Sequence, residues 1–429
     1  MNKIHILFLV QTFYPKFDAN GIIVYNIAKE FIRLGHSVSI IDQNTDASFK
    51  MVDCYEGIKI YRSHDILSKQ GMFRVFKSGH YIKGIEIFKE IIKIKGSKKF
   101  GRLSLSETYF IESLLLKIFN DNTVDIVIPV CYPFALNYPV MKLKKRNKLP
   151  CKWIVYMQDP YATHHYYKGK RELPDIIAFE EKVLRLTDAA VVTDFVYEEF
   201  KKPNMIKYLS KISILPFPKI IEPIILPVQD DVIFDNRYIN CIFLGRFNEE
   251  IRNPTYMFRV FKELKDKNFR LHVIGDNDLN VVEKYKDVLG ETLELHGNRS
   301  KEAAINAILH GDILVNIGNS VSNQLPSKIF EYFSAGRPIV NFYELENCPT
   351  LKYLNKYPLK LNINQQDEIT NKIIFDFEQF CIKNRNKKID YLIIKEIYKD
   401  FTVEEVSKKF LQIMNNVVNI KKEIIIDGK

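Results

Sequence analysis

Residues 4–42 read IHILFLVQTFYPKFDANGIIVYNIAKEFIRLGHSVSIID. An apolar run from Ile4 to Val10 gives way to a loop rich in turn formers, Gln11 to Gly21. Ile22 to Leu34 is amphipathic, Gly35 and His36 stop it, and Ser37 to Asp42 is again β-rich. The order predicts strand, helix, strand, and strands joined through a crossover helix lie parallel in one sheet.

Outward from this unit, β-rich runs recur at Ile58 to Arg62, Asp125 to Val130, Trp153 to Asp159, Ala189 to Thr193 and Ile212 to Leu215, with helical stretches between most of them. Residues 1–217 are therefore expected to form one α/β domain. The stretch Leu215 to Asn236 contains four prolines and a polar break, and reads as a connector. Alternation restarts at Cys241 to Leu244 and continues at Arg270 to Ile274, Leu293 to Leu295, Ile313 to Ile317 and Pro338 to Phe342. A second α/β domain over 218–400 and a helical tail over 401–429 follow. Two doubly wound Rossmann-like domains in tandem are expected to face across a cleft, with function in the loops after their strands.

The 429 residues fit two domains at ~100–200 residues each. With 46% hydrophobic and 27% charged residues, a disordered or fibrous chain is excluded. The six cysteines, at 54, 131, 151, 241, 348 and 381, are too dispersed for a zinc pair or a disulfide framework, so the expected setting is reducing and cytoplasmic. The first apolar run is too short for a signal peptide, and none reaches the ~20 residues of a spanning helix. No Gly-x-Gly-x-x-Gly follows the first strand, which argues against a dehydrogenase.

Two segments of the second domain carry the chemistry. After the strand CIFLG come Arg246 and Arg252, ahead of an Asn253-Pro254 helix start, so two cations approach a helix N-terminus. The bland alternative is solvated surface charge. After the strand DILVNIG comes Asn323-Gln324-Leu325-Pro326-Ser327-Lys328-Ile329-Phe330-Glu331-Tyr332, whose helix, Ser327 to Ala335, ends at Gly336. Its loop and helix start offer N–H groups to a diphosphate, and Glu331 offers a carboxylate to a sugar diol. The plainer reading of Glu331 is an exposed helix carboxylate.

Gly-Arg after the first strand of the second domain, the Pro-Ser-Lys-Ile-Phe-Glu-Tyr block ending in Ala-Gly-Arg-Pro-Ile-Val, the Tyr14-Pro15 to Gly21 loop, the Leu34-Gly35-His36-Ser37-Val38 turn and Ile214-Leu215-Pro216 together resemble the retaining GT-B glycosyltransferases of family 4. The resemblance runs over nearly the whole chain. It implies that Arg246 and Arg252 neutralise a nucleotide diphosphate, that Leu325, Pro326 and Ser327 line the phosphate loop, and that Glu331 binds the ribose hydroxyls. It also implies that the Asn20-Gly21 loop closes over the donor and that no metal or other cofactor is needed. Three positions depart from the family pattern: Asn323 stands where the first of two glutamates is common, Asn20-Gly21 where Gly-Gly is, and Arg252-Asn253 replaces a lysine after Gly-Arg.

On the acceptor side, Val130-Cys131-Tyr132-Pro133 stands where many relatives have a histidine, and the next strand ends in Gln158-Asp159-Pro160-Tyr161-Ala162-Thr163-His164-His165. Asp159 and His164 are candidates for acceptor activation or orientation, against a structural role for both. The surplus of 63 Lys and Arg over 52 Asp and Glu, +11, calls for an anionic partner. Within 66–105, ten basic residues face two acidic ones, and Tyr81, Ile85, Phe88 and Ile92 recur at helical spacing. That pattern reads either as a basic amphipathic helix on an anionic membrane or as a helix packed on the sheet with solvated lysines. No nucleic-acid recognition motif is present.

The expectation is a cytoplasmic glycosyltransferase, peripheral at the inner face of the membrane, that moves a sugar from a nucleotide-diphosphate donor to a glycan or lipid-linked acceptor in surface-polysaccharide or glycoconjugate synthesis. Retention is implied by the resemblance. An epimerase or phosphorylase of the same fold, or a catalytically degenerate partner or binding subunit, are the rival readings.

Overall fold

The computed structural model describes residues 3–43, 49–62, 105–265, 267–275 and 280–426. The basic stretch from 66 to 105, with Tyr81, Ile85, Phe88 and Ile92, lies outside the described residues except for its last position. The chain forms two compact units, one of residues 1–218 and 403–429, the other of 219–402.

The first unit is an eight-stranded sheet ordered β3-β4-β2-β1-β5-β6-β7-β8. Its strands are β1 His5–Val10, β2 Ser37–Asp42, β3 Val52–Tyr55, β4 Ile58–Arg62, β5 Ile126–Cys131, β6 Lys152–Met157, β7 Ala189–Val192 and β8 Ile212–Ile214. All pairings are parallel except the β3–β4 hairpin. Described helices of this unit are α1 Ala19–Arg33, α2 Leu105–Asp121, α3 Asn137–Lys145, α4 Leu173–Leu186 and α5 Asp194–Phe200. Ile6 to Val10 are fully buried, as parallel strands covered on both faces must be, and this is why the opening run is continuously apolar rather than alternating.

Helix α1 starts three residues earlier than its amphipathic stretch. The Asp18 carboxylate accepts the N–H of Gly21 at 2.6 Å and so caps the helix in front of Ala19. Asn20 and Gly21, expected in a loop, therefore sit in the first helical turn.

The second unit is a six-stranded, wholly parallel sheet ordered β11-β10-β9-β12-β13-β14. Its strands are β9 Ile239–Leu244, β10 Phe269–Ile274, β11 Leu293–Gly297, β12 Ile313–Ile317, β13 Ile339–Tyr343 and β14 Lys360–Asn364. Its described helices are α6 Thr255–Glu263, α7 Asn280–Leu289, α8 Lys301–His310, α9 Ile329–Ala335, α10 Pro349–Leu354, α11 Asn371–Asn384 and α12 Tyr391–Ile397. One sheet face packs Cys241, Phe243, Leu271 and Val273 against Phe258, Phe261 and Phe377.

The last helix, α13 Val403–Ile426, belongs to the first unit. Phe410 is fully buried, with its ring 6.5 Å from Phe8, 6.1 Å from Phe31 and 5.4 Å from Tyr156. One aromatic thereby seats the helix on α1 and the sheet centre. Among the described residues, no helix is long and apolar enough to cross a membrane.

Candidate functional site

In the second sheet β9 lies between β10 and β12, so successive connections leave it in opposite directions and a crevice opens beyond the carboxyl ends of β9 and β12. Two loops meet there. After β9, Gly245 adopts φ 145° and is followed by exposed Arg246. After β12 come Gly318 and buried Asn319.

Arg252 ties these loops together. Its Nε and Nη2 donate to Asn319 Oδ1 at 3.0 and 2.8 Å, and its Nη1 donates to the Arg246 carbonyl at 3.2 Å. The segment between is a small two-stranded turn, in which Arg252 and Asn248 exchange both backbone hydrogen bonds. Ser320 fixes it to the β12 loop by donating its N–H to the Ile251 carbonyl. The guanidinium is half-buried and has no carboxylate partner among the described residues; desolvation lowers its pKa to about 10. A partly desolvated cation answered by neutral oxygens keeps its full charge and can receive an anion.

Asn319 also holds the next segment, donating from Nδ2 to the Gln324 carbonyl at 3.0 Å. Asn323 is half-buried, Leu325 and Pro326 are buried, and Ser327 is half-buried. Ser327, expected at the start of α9, lies instead in the turn before it, where the Pro326 carbonyl accepts the N–H of Ile329. Glu331 lies in the first turn of α9, and Lys328 Nζ donates to both its oxygens at 3.0 and 2.9 Å. The next residue aligns the helix: Tyr332 accepts the N–H of Leu244 at 2.7 Å and donates to the Val315 carbonyl at 3.2 Å, bridging β9 and β12. The structure thus brings Arg246, Arg252 and the Leu325–Ser327 segment to one crevice. Sequence reading missed Asn319, although an asparagine directly after the Gly that ends a switch-point strand was the available signal.

In the first unit the corresponding crevice lies beyond β1 and β5, whose strand order reverses there. Asn20 Nδ2 donates to the Tyr132 carbonyl at 3.0 Å, joining the first turn of α1 to the loop after β5. Gly21 is needed for close approach, since a Cβ there would lie 2.2 Å from the Thr12 carbonyl oxygen. Tyr132 donates its hydroxyl to the Pro160 carbonyl at 2.9 Å, and burial raises its pKa, so its phenol is a structural tie. The His164 ring lies 5.2 Å from that of Tyr132, edge to face.

His164 Nδ1 accepts the N–H of Tyr166 at 3.1 Å, so the neutral ring carries its proton on Nε2. Burial, with His165 beside it, lowers the pKa to about 4. In this state the ring stays neutral at neutral pH, and Nε2 is a donor rather than a proton acceptor. Asp159 is half-buried after β6, one residue before the carbonyl that receives Tyr132.

Glu180 on α4, which sequence reading passed over, is buried and accepts the N–H of Ala162 at 3.4 Å. Desolvation pushes its pKa up to about 7. The signal was the helical phase, because Glu180 shares the face of Ile176, Val183 and Leu184.

Comparisons agree with this architecture. A glycosyltransferase from Rickettsia africae is 14% identical with a TM-score of 0.60, the match covering 97% of this chain and 99% of that one. The catalytic domain of starch synthase IV from Arabidopsis thaliana, bound to ADP and acarbose, is 11% identical with a TM-score of 0.61, covering 97% and 100%. A lipopolysaccharide outer core galactosyltransferase in its apo form is 12% identical with a TM-score of 0.55, covering 97% and 100%. At these identities the likeness is one of fold. No curated protein matches the sequence. Residues 239–351, which contain the whole Arg246–Glu331 crevice, match the family model described as Glycosyl transferases group 1. The chain has the GT-B fold of glycosyltransferases, with a Glycosyl transferases group 1 segment at the core of its second unit.

Proposed function

We propose that the protein transfers a sugar from a nucleotide-diphosphate donor to a glycan or lipid-linked acceptor with retention, in the synthesis of a surface polysaccharide or glycoconjugate. The observation that carries this reading is the Arg252 guanidinium, desolvated at the β9–β12 switch point and facing no carboxylate among the described residues. Negative charge develops on the leaving diphosphate as the glycosidic bond breaks, and a preorganised cation stabilises that state more than the ground state. Arg246 lies beside it, and Leu325, Pro326 and Ser327 contribute the loop against which a diphosphate would rest. Glu331 is the group suited to the ribose hydroxyls, and binding there requires it to share or release Lys328. That lysine is then a further cation for the phosphates, in the role that GT-A enzymes give to a metal.

The acceptor hydroxyl would be oriented by His164 Nε2–H and by Asp159, with its proton passing to the departing phosphate or to a nearby carboxylate. Attack on the face that the diphosphate leaves gives retention. The formal charge of +11 favours a peripheral position on an anionic membrane at the cytoplasmic face, where a lipid-linked acceptor is presented.

The test is thermal shift of the whole protein against UDP-, GDP-, ADP- and CMP-sugars, repeated with Arg252→Ala, Arg246→Ala and Glu331→Ala. A ligand at ~100 times its dissociation constant stabilises by about 2.7 kcal/mol, so one nucleotide class should raise the midpoint and the variants should abolish the rise. Donor binding without turnover on any acceptor would favour the degenerate-subunit reading, which Asn323 in place of a glutamate also fits.

A further inference from the structure

On the opposite side of the second sheet from its apolar core, the outer strands carry a polar cluster. His272 on β10 pairs in register with Glu294 on β11, and His296 follows two residues later, where the β10–β11 register shifts by one residue. The three side chains converge. His272 Nδ1 lies 2.9 Å from His296 Nε2 and 3.4 Å from Glu294 Oε2, and His296 Nε2 lies 3.8 Å from the same oxygen. We propose that His272, Glu294 and His296 form a binding site for one divalent transition-metal ion of the zinc class, with its fourth position open to water.

The spacing fits. Bonds of ~2.0–2.2 Å to a tetrahedral ion place neighbouring ligand atoms ~3.3–3.6 Å apart, and the three observed separations bracket that edge. Small rotations of Glu294 and His296 equalise them.

The surroundings orient each ligand as a metal site requires. Asn240 on β9 donates from Nδ2 to the carbonyls of Asp235 and Tyr238, so its Oδ1 faces His272 Nε2 at 3.0 Å. An amide oxygen only accepts, so Nε2 carries the proton of His272 and Nδ1 presents a bare lone pair to the cluster. Arg270 Nη1 donates to Glu294 Oε1 at 2.6 Å, which turns the other oxygen, Oε2, toward the two imidazoles. With no ion present, the lone pair of His272 must be met by a proton on His296 Nε2. The ion takes the place of that proton, which moves to His296 Nδ1, the ring nitrogen left outside the cluster, so that two neutral imidazoles and one carboxylate serve as ligands.

Access is present as well. The His272 side chain is 1% exposed, whereas that of Glu294 is 32% and that of His296 15%, so the cluster is buried on one side and open on the other. An ion there would clamp edge strand β11 to β10, two strands from the Arg252 crevice and independent of it. The alternative is a hydrogen-bonded polar network that only satisfies buried groups.

Calorimetric titration of the chelator-treated, full-length protein with Zn2+ alone decides between them, with Co2+ in parallel as a spectroscopic probe. The expected result is one ion per chain at micromolar affinity or tighter, visible absorption of tetrahedral Co2+, and a raised thermal midpoint. His296→Ala and Glu294→Gln should each weaken binding by at least ~100-fold. Glu294→Gln keeps size and a partly exposed position, so it carries the test should His296→Ala fold poorly. Less than one ion per chain, or wild-type binding by both variants, would overturn the proposal.

Discussion

Two nitrogens of Arg252 converge on a single oxygen of Asn319, at 3.0 and 2.8 Å, so the planar fork that would grip a carboxylate is held by a neutral amide. That choice fixes the guanidinium without cancelling its charge. Asn319→Asp keeps the shape and adds the missing negative charge. The variant gains an ion pair with Arg252 but loses the Asn319 Nδ2 donor to the Gln324 carbonyl, so its stability should stay within ~2 kcal/mol of wild type, while it binds a nucleoside diphosphate at least ~10-fold more weakly, tenfold in affinity being about 1.4 kcal/mol. Isothermal titration reads this directly, and unaltered affinity would remove Arg252 from the diphosphate site.

A second relation in the crevice is the pair Lys328–Glu331, whose side chains are 45% and 31% exposed. An exposed pair of this kind contributes ~0–1 kcal/mol to stability, so neither Lys328→Ala nor Glu331→Gln should shift the denaturation midpoint appreciably. Both should weaken donor affinity, Glu331→Gln by losing charge-assisted bonds to the ribose and Lys328→Ala by losing a cation near the phosphates. Substituting 2′-deoxyribose in the donor separates them: the deoxy penalty should shrink in Glu331→Gln and persist in Lys328→Ala.

How far the sequence could be read follows from which signals were unambiguous. Fully buried parallel strands such as β1, β5, β9 and β12 stand out as continuous apolar runs. Strand β14, Lys360–Asn364, escaped because it is an edge strand with only Ile363 buried, so KLNIN has neither an apolar run nor a clean alternation. Strand β3 escaped for the same reason, being exposed and present only as the hairpin partner of β4. Charge and motif spacing single out Arg252 and Glu331, and the one local mark of Asn319 is its place directly after the Gly that follows β12, whereas the His272–Glu294–His296 cluster depends on pairing across strands that no local window contains.

Gly336 should tolerate no side chain. It ends α9 at φ 72°, and a Cβ there would lie 2.2 Å from the carbonyl oxygen of Ile389, whose N–H in turn donates to the Gly336 carbonyl. Left-handed strain and a backbone collision add, so Gly336→Ala should cost more than ~2 kcal/mol in denaturant titration. Gly21→Ala meets the Thr12 carbonyl at the same 2.2 Å but in a right-handed helix, which leaves only the collision. It should cost ~1–3 kcal/mol and shift the first turn of α1.

The pH dependence of stability should contain two opposed contributions from the Tyr132–His164–Glu180 neighbourhood. His164 has its pKa lowered to about 4 from an ordinary 6.5, so between these values the unfolded chain binds the extra proton. Its contribution is fully present above pH 6.5 and is lost as pH falls towards 4. Glu180 has its pKa raised to about 7 from 4.5, so the folded chain binds the extra proton between those values. That contribution is present below pH 4.5 and is lost as pH rises through 7, an effect on the order of 3 kcal/mol for a buried carboxylate. In urea titrations across pH 4–8, wild type should therefore gain on His164→Gln as pH rises to 6.5 and lose to Glu180→Gln as pH rises to 8. Activity gives an independent reading of the same assignment. A rate limb near pH 7 should survive in His164→Gln, because burial keeps the His164 ring neutral well below that pH; loss of the limb in that variant would make His164 the proton acceptor.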